Sequence, residues 1–333
     1  MKVIEFTVPG GPEVLKYVER PTPEPGPGEI RVRAEAIGIS SADVRVRKGI
    51  YDWMPPLPAI PGNEMAGVVD AIGPAHTPDA TRLRVGQRVL VSSRELAFRG
   101  GCYAEAICIP AEAAFVLPPA VSSAAAVTLP NYQLAGALLY ASGVRPPRSV
   151  AVYGAAGGVG GALLQLAAAD GMVTIGITGT EAKRAFARAA GSHDVLLRGS
   201  PTLAQDVKAL TGGHGVDVVY GMAGPEFIGN LELLAPLGTL VSFSPLGGGM
   251  PEVDVFAALR KLLGRSLGLR VYSIHTLDHD RGLRRQLMQR AIELMADGRL
   301  LPPVPTLLPL RDAARAHEML EAGSTLGKLV LTP

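Results

Sequence analysis

The stretch most able to do chemistry is Tyr153-Gly154-Ala155-Ala156-Gly157-Gly158-Val159-Gly160. It follows the apolar run Val150–Tyr153 and opens an apolar helical run, the setting a dinucleotide-binding turn requires. Glycines let the backbone approach a pyrophosphate, and the helix start offers unpaired N–H groups and the positive end of its dipole. In the G-x-G-x-x-G pattern Ala155 takes the first place, while Gly157 and Gly160 keep the other two. Ala156, Gly157, Gly158, Val159 and Gly160 are therefore the candidates for cradling phosphate. The end of the next strand decides which dinucleotide. An acid there would bind a ribose 2′-hydroxyl and repel a 2′-phosphate. This chain reads Gly176-Ile177-Thr178-Gly179-Thr180, with Lys183, Arg184 and Arg198 following. Hydroxyls and cations suit a 2′-phosphate, so Thr178, Gly179, Lys183 and Arg198 point to NADPH, with Glu181 as the one opposing acid nearby.

Metal chemistry finds less support. The two cysteines, Cys102 and Cys108, are too few for a disulfide framework or a four-thiolate zinc site. His275 and His279 lie four apart with Asp278 and Asp280 beside them, a tempting ligand spacing. A polar loop or helix start accounts for the same residues, and the expectation is no metal.

The elements that must position these residues divide the chain in two. At 333 residues it exceeds what one compact core usually organises. Up to about residue 120, short Val- and Ile-bearing runs such as Glu29–Ala36, Ala66–Ile72 and Gln87–Val91 are bracketed by Gly and Pro, which predicts an irregular barrel or sandwich. From Ser149 the pattern is strand, Gly-rich turn, helix, strand, helix. Strands are predicted at 150–153, 173–178, 195–197, 216–220 and 238–243, and helices at 158–169, 181–190, 203–210 and 225–234. Strands separated by helices imply a parallel sheet. Amphipathic runs at 281–296 and 311–321 and a strand at 328–332 close the chain. A net charge of +2 provides no field for a phosphate backbone, so no nucleic-acid partner is expected. The N-terminus lacks the apolar region of a secretion signal, and no run approaches the ~18 apolar residues of a membrane span. A cytoplasmic protein is expected.

Several motifs together resemble the zinc-free NADPH:quinone oxidoreductase (zeta-crystallin-like) group of the medium-chain dehydrogenases/reductases. Pro9–Leu15 is similar to that group's GGPEVL start, and Ala36–Asp43 to its AxGxNxxD segment. Pro61–Val69 matches PGxExxGxV, Gly101–Glu105 resembles GGxYAE, and Ala155–Gly160 reads AAGGVG. The resemblance implies an α/β chain with a GroES-like β-barrel catalytic domain at 1–122 and 270–333. Between them, at 123–269, it implies a doubly wound Rossmann domain, with cofactor in the interdomain cleft and homodimers paired through Rossmann sheet edges.

It also implies site residues. Tyr51 aligns with an active-site tyrosine and is the first candidate to meet a developing oxyanion; Ser40 and Arg45 are the next. Gln133 is placed to hold nicotinamide or substrate, or else is a buried amide satisfied by backbone. Met222, Phe243 and Ser244 end two Rossmann strands and should flank the nicotinamide half, and Lys328 matches a lysine near the cofactor. In zinc-dependent relatives a Cys and a His stand where Ser40 and Asn63 stand here, and no later Cys supplies a third ligand. Asp43 is expected to order its loop and Glu64 to be structural. The expected activity is metal-free hydride transfer from NADPH to a quinone or an activated C=C bond. The alternatives are a stand-alone enoyl or ene reductase of a biosynthetic pathway, and a non-catalytic NADPH-binding or structural protein. Ser40, Arg45 and Asn131-Tyr132-Gln133 depart from the group's usual residues, which makes substrate choice the least determined feature.

Overall fold

The computed structural model describes residues 1–74, 83–143, 146–221, 224, 226–243, 251–323 and 325–333. The chain folds into two compact units. In chain order the first contributes strands β1 (Lys2–Glu5), β2 (Lys16–Glu19) and β3 (Glu29–Gly38), helix α1 (Ser41–Arg47), then β4 (Glu64–Ile72), β5 (Arg88–Ser92), β6 (Ala106–Pro110), β7 (Phe115–Val116) and helix α2 (Ser123–Ala126). Helix α3 (Leu129–Tyr140) carries the chain into the second unit. There β8 (Ser149–Tyr153), α4 (Gly158–Ala169), β9 (Val173–Thr178), α5 (Glu181–Ala189), β10 (Asp194–Leu197), α6 (Leu203–Leu210), β11 (Val216–Gly221), α7 (Phe227–Leu233), β12 (Leu234–Ser242), α8 (Val255–Lys261) and β13 (Gly268–Val271) alternate. Helix α9 (Arg281–Ala296), β14 (Thr306–Pro309), α10 (Ala313–Glu321) and β15 (Leu329–Thr332) complete the chain.

The first unit is built on a seven-stranded sheet in which β3 is the organising strand. It pairs antiparallel with β4 along its length, with β6 over Glu29–Arg33, and with β15 at Ile37 and Gly38. Alternation explains the packing: Ile30, Val32, Ala34 and Ala36 point inward and are buried, while Arg33 and Glu35 face out. Pairing β15 with β3 is what returns the last segment of the chain to this unit.

The second unit is a parallel sheet of order β10-β9-β8-β11-β12-β13. The chain winds outward from β8 to β10, then crosses back to β11 and winds out the other way. Strand order therefore reverses between β8 and β11, the point at which such sheets bind ligands beyond the carboxyl ends of their strands. Ala162, Leu163, Leu166 and Ala167 recur at helical spacing and are the buried face of α4.

The junctions differ from those expected. The second unit runs 131–291 with 297–302, so it includes β13 and most of α9, where 270–333 was assigned to the barrel. The reason is packing: β13 pairs with β12, Gln133 donates to the Arg284 carbonyl, and Arg290 pairs with Asp170. The single 281–296 run thus anchors its first turns on the parallel-sheet unit.

Candidate active site

The Gly-rich turn lies at the carboxyl end of β8, beside the reversal in strand order. Its glycines are required by contact. Gly154 has φ +71°, and a Cβ on Gly160 would stand 2.2 Å from the Gly154 carbonyl oxygen. No side chain can sit at residue 160 while the turn keeps this shape. Gly157 is the N-cap of α4, so the N–H groups of Gly158, Val159 and Gly160 form its unpaired first turn.

The end of β9 carries the second half of this arrangement. Thr178 is 3% exposed, and its Oγ1 has no hydrogen-bond partner among the described residues. Its carbonyl accepts from the Arg198 N–H at 2.8 Å. The Arg198 guanidinium turns back over Gly179, with Nη2 3.8 Å from where a Gly179 Cβ would stand. Thr180 caps α5 by accepting from the Lys183 N–H, placing Lys183 in the first turn. Glu181, the one acid that argued against a 2′-phosphate, is held by Arg184 at 2.7 Å. Arg198 lies 3.5 Å from Glu226. An orphaned buried hydroxyl, a glycine and two cations at one strand end fit a phosphorylated ribose.

Gln133 is fully buried and its Nε2 donates to the Arg284 carbonyl. Phe243 lies half-buried just beyond β12, while Met222 and Ser244 fall outside the described residues.

In the first unit, α1 and its neighbours hold a buried polar cluster. Ser40 is the N-cap of α1; its N–H and Oγ–H both donate to Asp43 Oδ2, at 2.7 and 2.8 Å. Asn63 Nδ2 donates to Asp43 Oδ1 at 2.5 Å, and Asn63 Oδ1 accepts from the Ser93 hydroxyl at 2.6 Å. Burial, and then the neighbouring Glu64 carboxylate, push the Asp43 carboxyl up to about 6. Lys328, expected at the cofactor, is buried in an ion pair with Glu64. Tyr103 Oη lies 3.0 Å from His317 Nε2, and burial lowers His317 to about 3, so it stays neutral.

Tyr51 is half-buried. Its ring stands 5.6 Å from Trp53, and the Arg45 guanidinium lies 6.0 Å from its centroid. Burial raises its phenol above the usual range, against the fields of Arg94 and Arg99. Neither arginine is among the residues that the sequence points to. Their signal is two cations within six residues beside the Gly100-Gly101 pair.

Comparison with known proteins agrees with this geometry. Residues 26–119 match the alcohol dehydrogenase GroES-like domain, and 190–331 the family described as zinc-binding dehydrogenase. A quinone oxidoreductase of Salmonella typhimurium is 34% identical over 335 residues, covering 99% of each chain. The chain belongs to the quinone oxidoreductase group of the medium-chain dehydrogenases/reductases. Among solved structures of quinone oxidoreductases, that of Pseudomonas syringae superposes with TM-score 0.84 at 31% identity, covering 100% of this chain and 99% of the other. That of Escherichia coli, complexed with NADPH, gives 0.80 at 32% and full coverage of both. As in that group, a GroES-like domain and a Rossmann domain make up the oxidoreductase.

The zinc in the family's description does not fit this chain's residues. Zinc sites need several thiolate, imidazole or carboxylate ligands in fixed geometry. Ser40 and Asn63 supply a hydroxyl and an amide, already engaged with Asp43 and Ser93. Among the described residues no group of three or more His, Cys, Asp or Glu is arranged to hold a metal. His275 instead pairs with Asp278 at 3.0 Å in a short turn.

Proposed function

We propose that this protein is a metal-independent, NADPH-dependent reductase of quinones or of activated C=C bonds. The observation that carries the cofactor assignment is the strand end at Thr178 and Gly179, with its orphaned hydroxyl and the Arg198 guanidinium turned over it. It agrees with the NADPH complex of the Escherichia coli relative. Gly157, Gly158, Val159 and Gly160, with Ala156, hold the pyrophosphate through backbone N–H groups; Thr178, Gly179, Lys183 and Arg198 hold the 2′-phosphate. NADPH when bound supplies a hydride.

The protein's remaining task is to orient the acceptor, exclude water and meet negative charge developing on an acceptor oxygen. Tyr51 is the donor we assign to that oxygen. Its raised phenol keeps its proton at neutral pH and can donate it as a hydrogen bond. Arg45, beside the ring, adds charge stabilisation, and Ser40 is the alternative donor once its hydroxyl leaves Asp43. Lys328 acts indirectly, by neutralising Glu64 within the fold.

A homodimer in the cytoplasm is part of this reading. It is supported by the open edge of β13, where Val271 is 82% exposed, and by two free thiols. No helix among the described residues is long and apolar enough to cross a membrane.

The test is NADPH consumption with a planar ortho-quinone and an α,β-unsaturated aldehyde side by side, with NADH as control. Reduction of either with NADPH supports the reading, and the reactive acceptor chooses between quinone and ene reductase. Tyr51→Phe should depress turnover about 10²-fold, in the range of a positioned proton donor, with NADPH affinity nearly intact. Equal rates in both proteins remove Tyr51 from the mechanism.

A further inference from the structure

A Cβ at Gly158, the first residue of α4, would stand 2.6 Å from Asn131 Nδ2, 3.4 Å from its Cγ and 3.8 Å from its Oδ1. The Cα–Cβ bonds of a helix tilt toward its N-terminus. The Asn131 amide therefore lies at the open end of α4, in the space that a side chain at residue 158 would fill, with its NH2 group nearest the turn. Packing of α3 against α4 holds it there. Tyr132, the next residue of α3, donates from Oη to Gln165 Oε1 at 2.8 Å. Gln165 lies two turns beyond Gly158 and so on the same face of α4. Further along α3, a Cβ at Gly136 would meet Leu166 of α4 at 3.5 Å. Both helices belong to the parallel-sheet unit. Among the described residues the Asn131 amide has no hydrogen-bond partner.

The N–H groups of Gly158, Val159 and Gly160 have no carbonyl within the helix to donate to. An amide NH2 set beside them gains nothing from them, since all are donors at the positive end of a dipole. An anion lying between would satisfy both sets at once. We infer that Asn131 is a side-chain ligand of the dinucleotide's pyrophosphate, adding a donor from α3 to the backbone N–H groups of the cradle. The inference rests on the NADPH reading for the identity of that anion. Asn131 is one of the residues at which this chain departs from the group's usual ones, so the contact is an addition made by this chain.

The experiment is calorimetric titration of the full chain with NADP⁺ and with adenosine 2′-monophosphate, which keeps the phosphorylated ribose and lacks the pyrophosphate. Asn131→Ala should weaken NADP⁺ about tenfold, the scale of one hydrogen bond to a charged partner. Asn131→Asp keeps the shape of the side chain and turns a carboxylate toward the phosphates. It should weaken NADP⁺ by roughly a hundredfold at low salt, and by less as salt screens the repulsion. In both variants the Kd of adenosine 2′-monophosphate should stay within about twofold of the wild-type value, which also shows that the unit is folded. An unchanged NADP⁺ Kd in Asn131→Ala overturns the inference, as does equal weakening of the two ligands, which would make Asn131 a support of the turn. Either result leaves the NADPH reading standing. A wild-type protein that binds NAD⁺ and not NADP⁺, with the same loss in Asn131→Asp, would keep the pyrophosphate contact and remove the NADPH reading; one that binds no dinucleotide removes both.

Discussion

Arg198→Ala isolates the part of the cofactor site that distinguishes NADPH from NADH. The guanidinium is 44% exposed and 3.5 Å from Glu226. Its backbone N–H, which holds the Thr178 carbonyl, survives the substitution, so the strand end should keep its shape. A hydrogen bond to a charged partner contributes ~1.5–3 kcal/mol when well shielded. With nearly half the group in solvent, and Glu226 competing for it, the lower end applies. About 1.4 kcal/mol corresponds to tenfold in Kd. NADPH should therefore bind roughly tenfold more weakly to Arg198→Ala, while NADH changes less than about twofold, since it has no 2′-phosphate to lose. Removing the cation also leaves Glu226 facing the phosphate site, so adding Glu226→Gln should recover part of the loss. The assay is equilibrium titration of both nucleotides at low and physiological ionic strength, because screening reduces the effect at partly exposed charges. Equal weakening of both nucleotides would mean that Arg198 supports the turn and not the 2′-phosphate. An unchanged NADPH Kd would remove it from the site.

The remaining predictions concern the framework. Gly160→Ala forces a Cβ against the Gly154 carbonyl, so the turn must open; nucleotide binding should fall below detection in a titration, while far-UV circular dichroism shows the fold retained. Breaking the buried Lys328–Glu64 pair should cost about 3–5 kcal/mol in Lys328→Met, and pairing it with Glu64→Leu should recover much of that, as denaturant melts would show. Asp43 titrates near 6 in the fold against an ordinary value of 3.8, so the native state binds its proton more tightly than the unfolded chain does. Its contribution is present in full below about 3.8 and is lost as the pH rises to about 6. Between those values wild-type stability should fall with pH relative to Asp43→Asn, by at most about 3 kcal/mol.

The Rossmann unit was the more legible half because its signals are local. Helices 158–169, 203–210 and 281–296 and the strand 173–178 have their predicted limits, since a Gly cap, apolar periodicity and β-branched runs each act within a few residues. Strand β13 escaped the reading because Gly268-Leu269-Arg270-Val271 alternates too briefly to stand out; it is made a strand by pairing with β12. Helix α1 was likewise hidden. Its start depends on Ser40 and Asp43 exchanging hydrogen bonds, a signal that becomes clear only once the helix is known.

The site divides along the same physical line. The phosphate cradle follows from residue type, because glycine is the only residue that can stand where Gly160 stands. The roles of polar side chains do not, since they depend on what folding brings alongside. Lys328 and Glu64 are 264 residues apart and neutralise one another; Tyr103 and His317 are 214 apart and share a hydrogen bond. Gln133 likewise gives an amide N–H to a carbonyl that Arg284 presents from 151 residues away. The cradle is therefore read from residue types and turns, and the polar partnerships only from what folding gathers. That is why exchanging Arg198 should alter which nucleotide is held, whereas Tyr51→Phe should alter turnover and leave nucleotide affinity nearly intact.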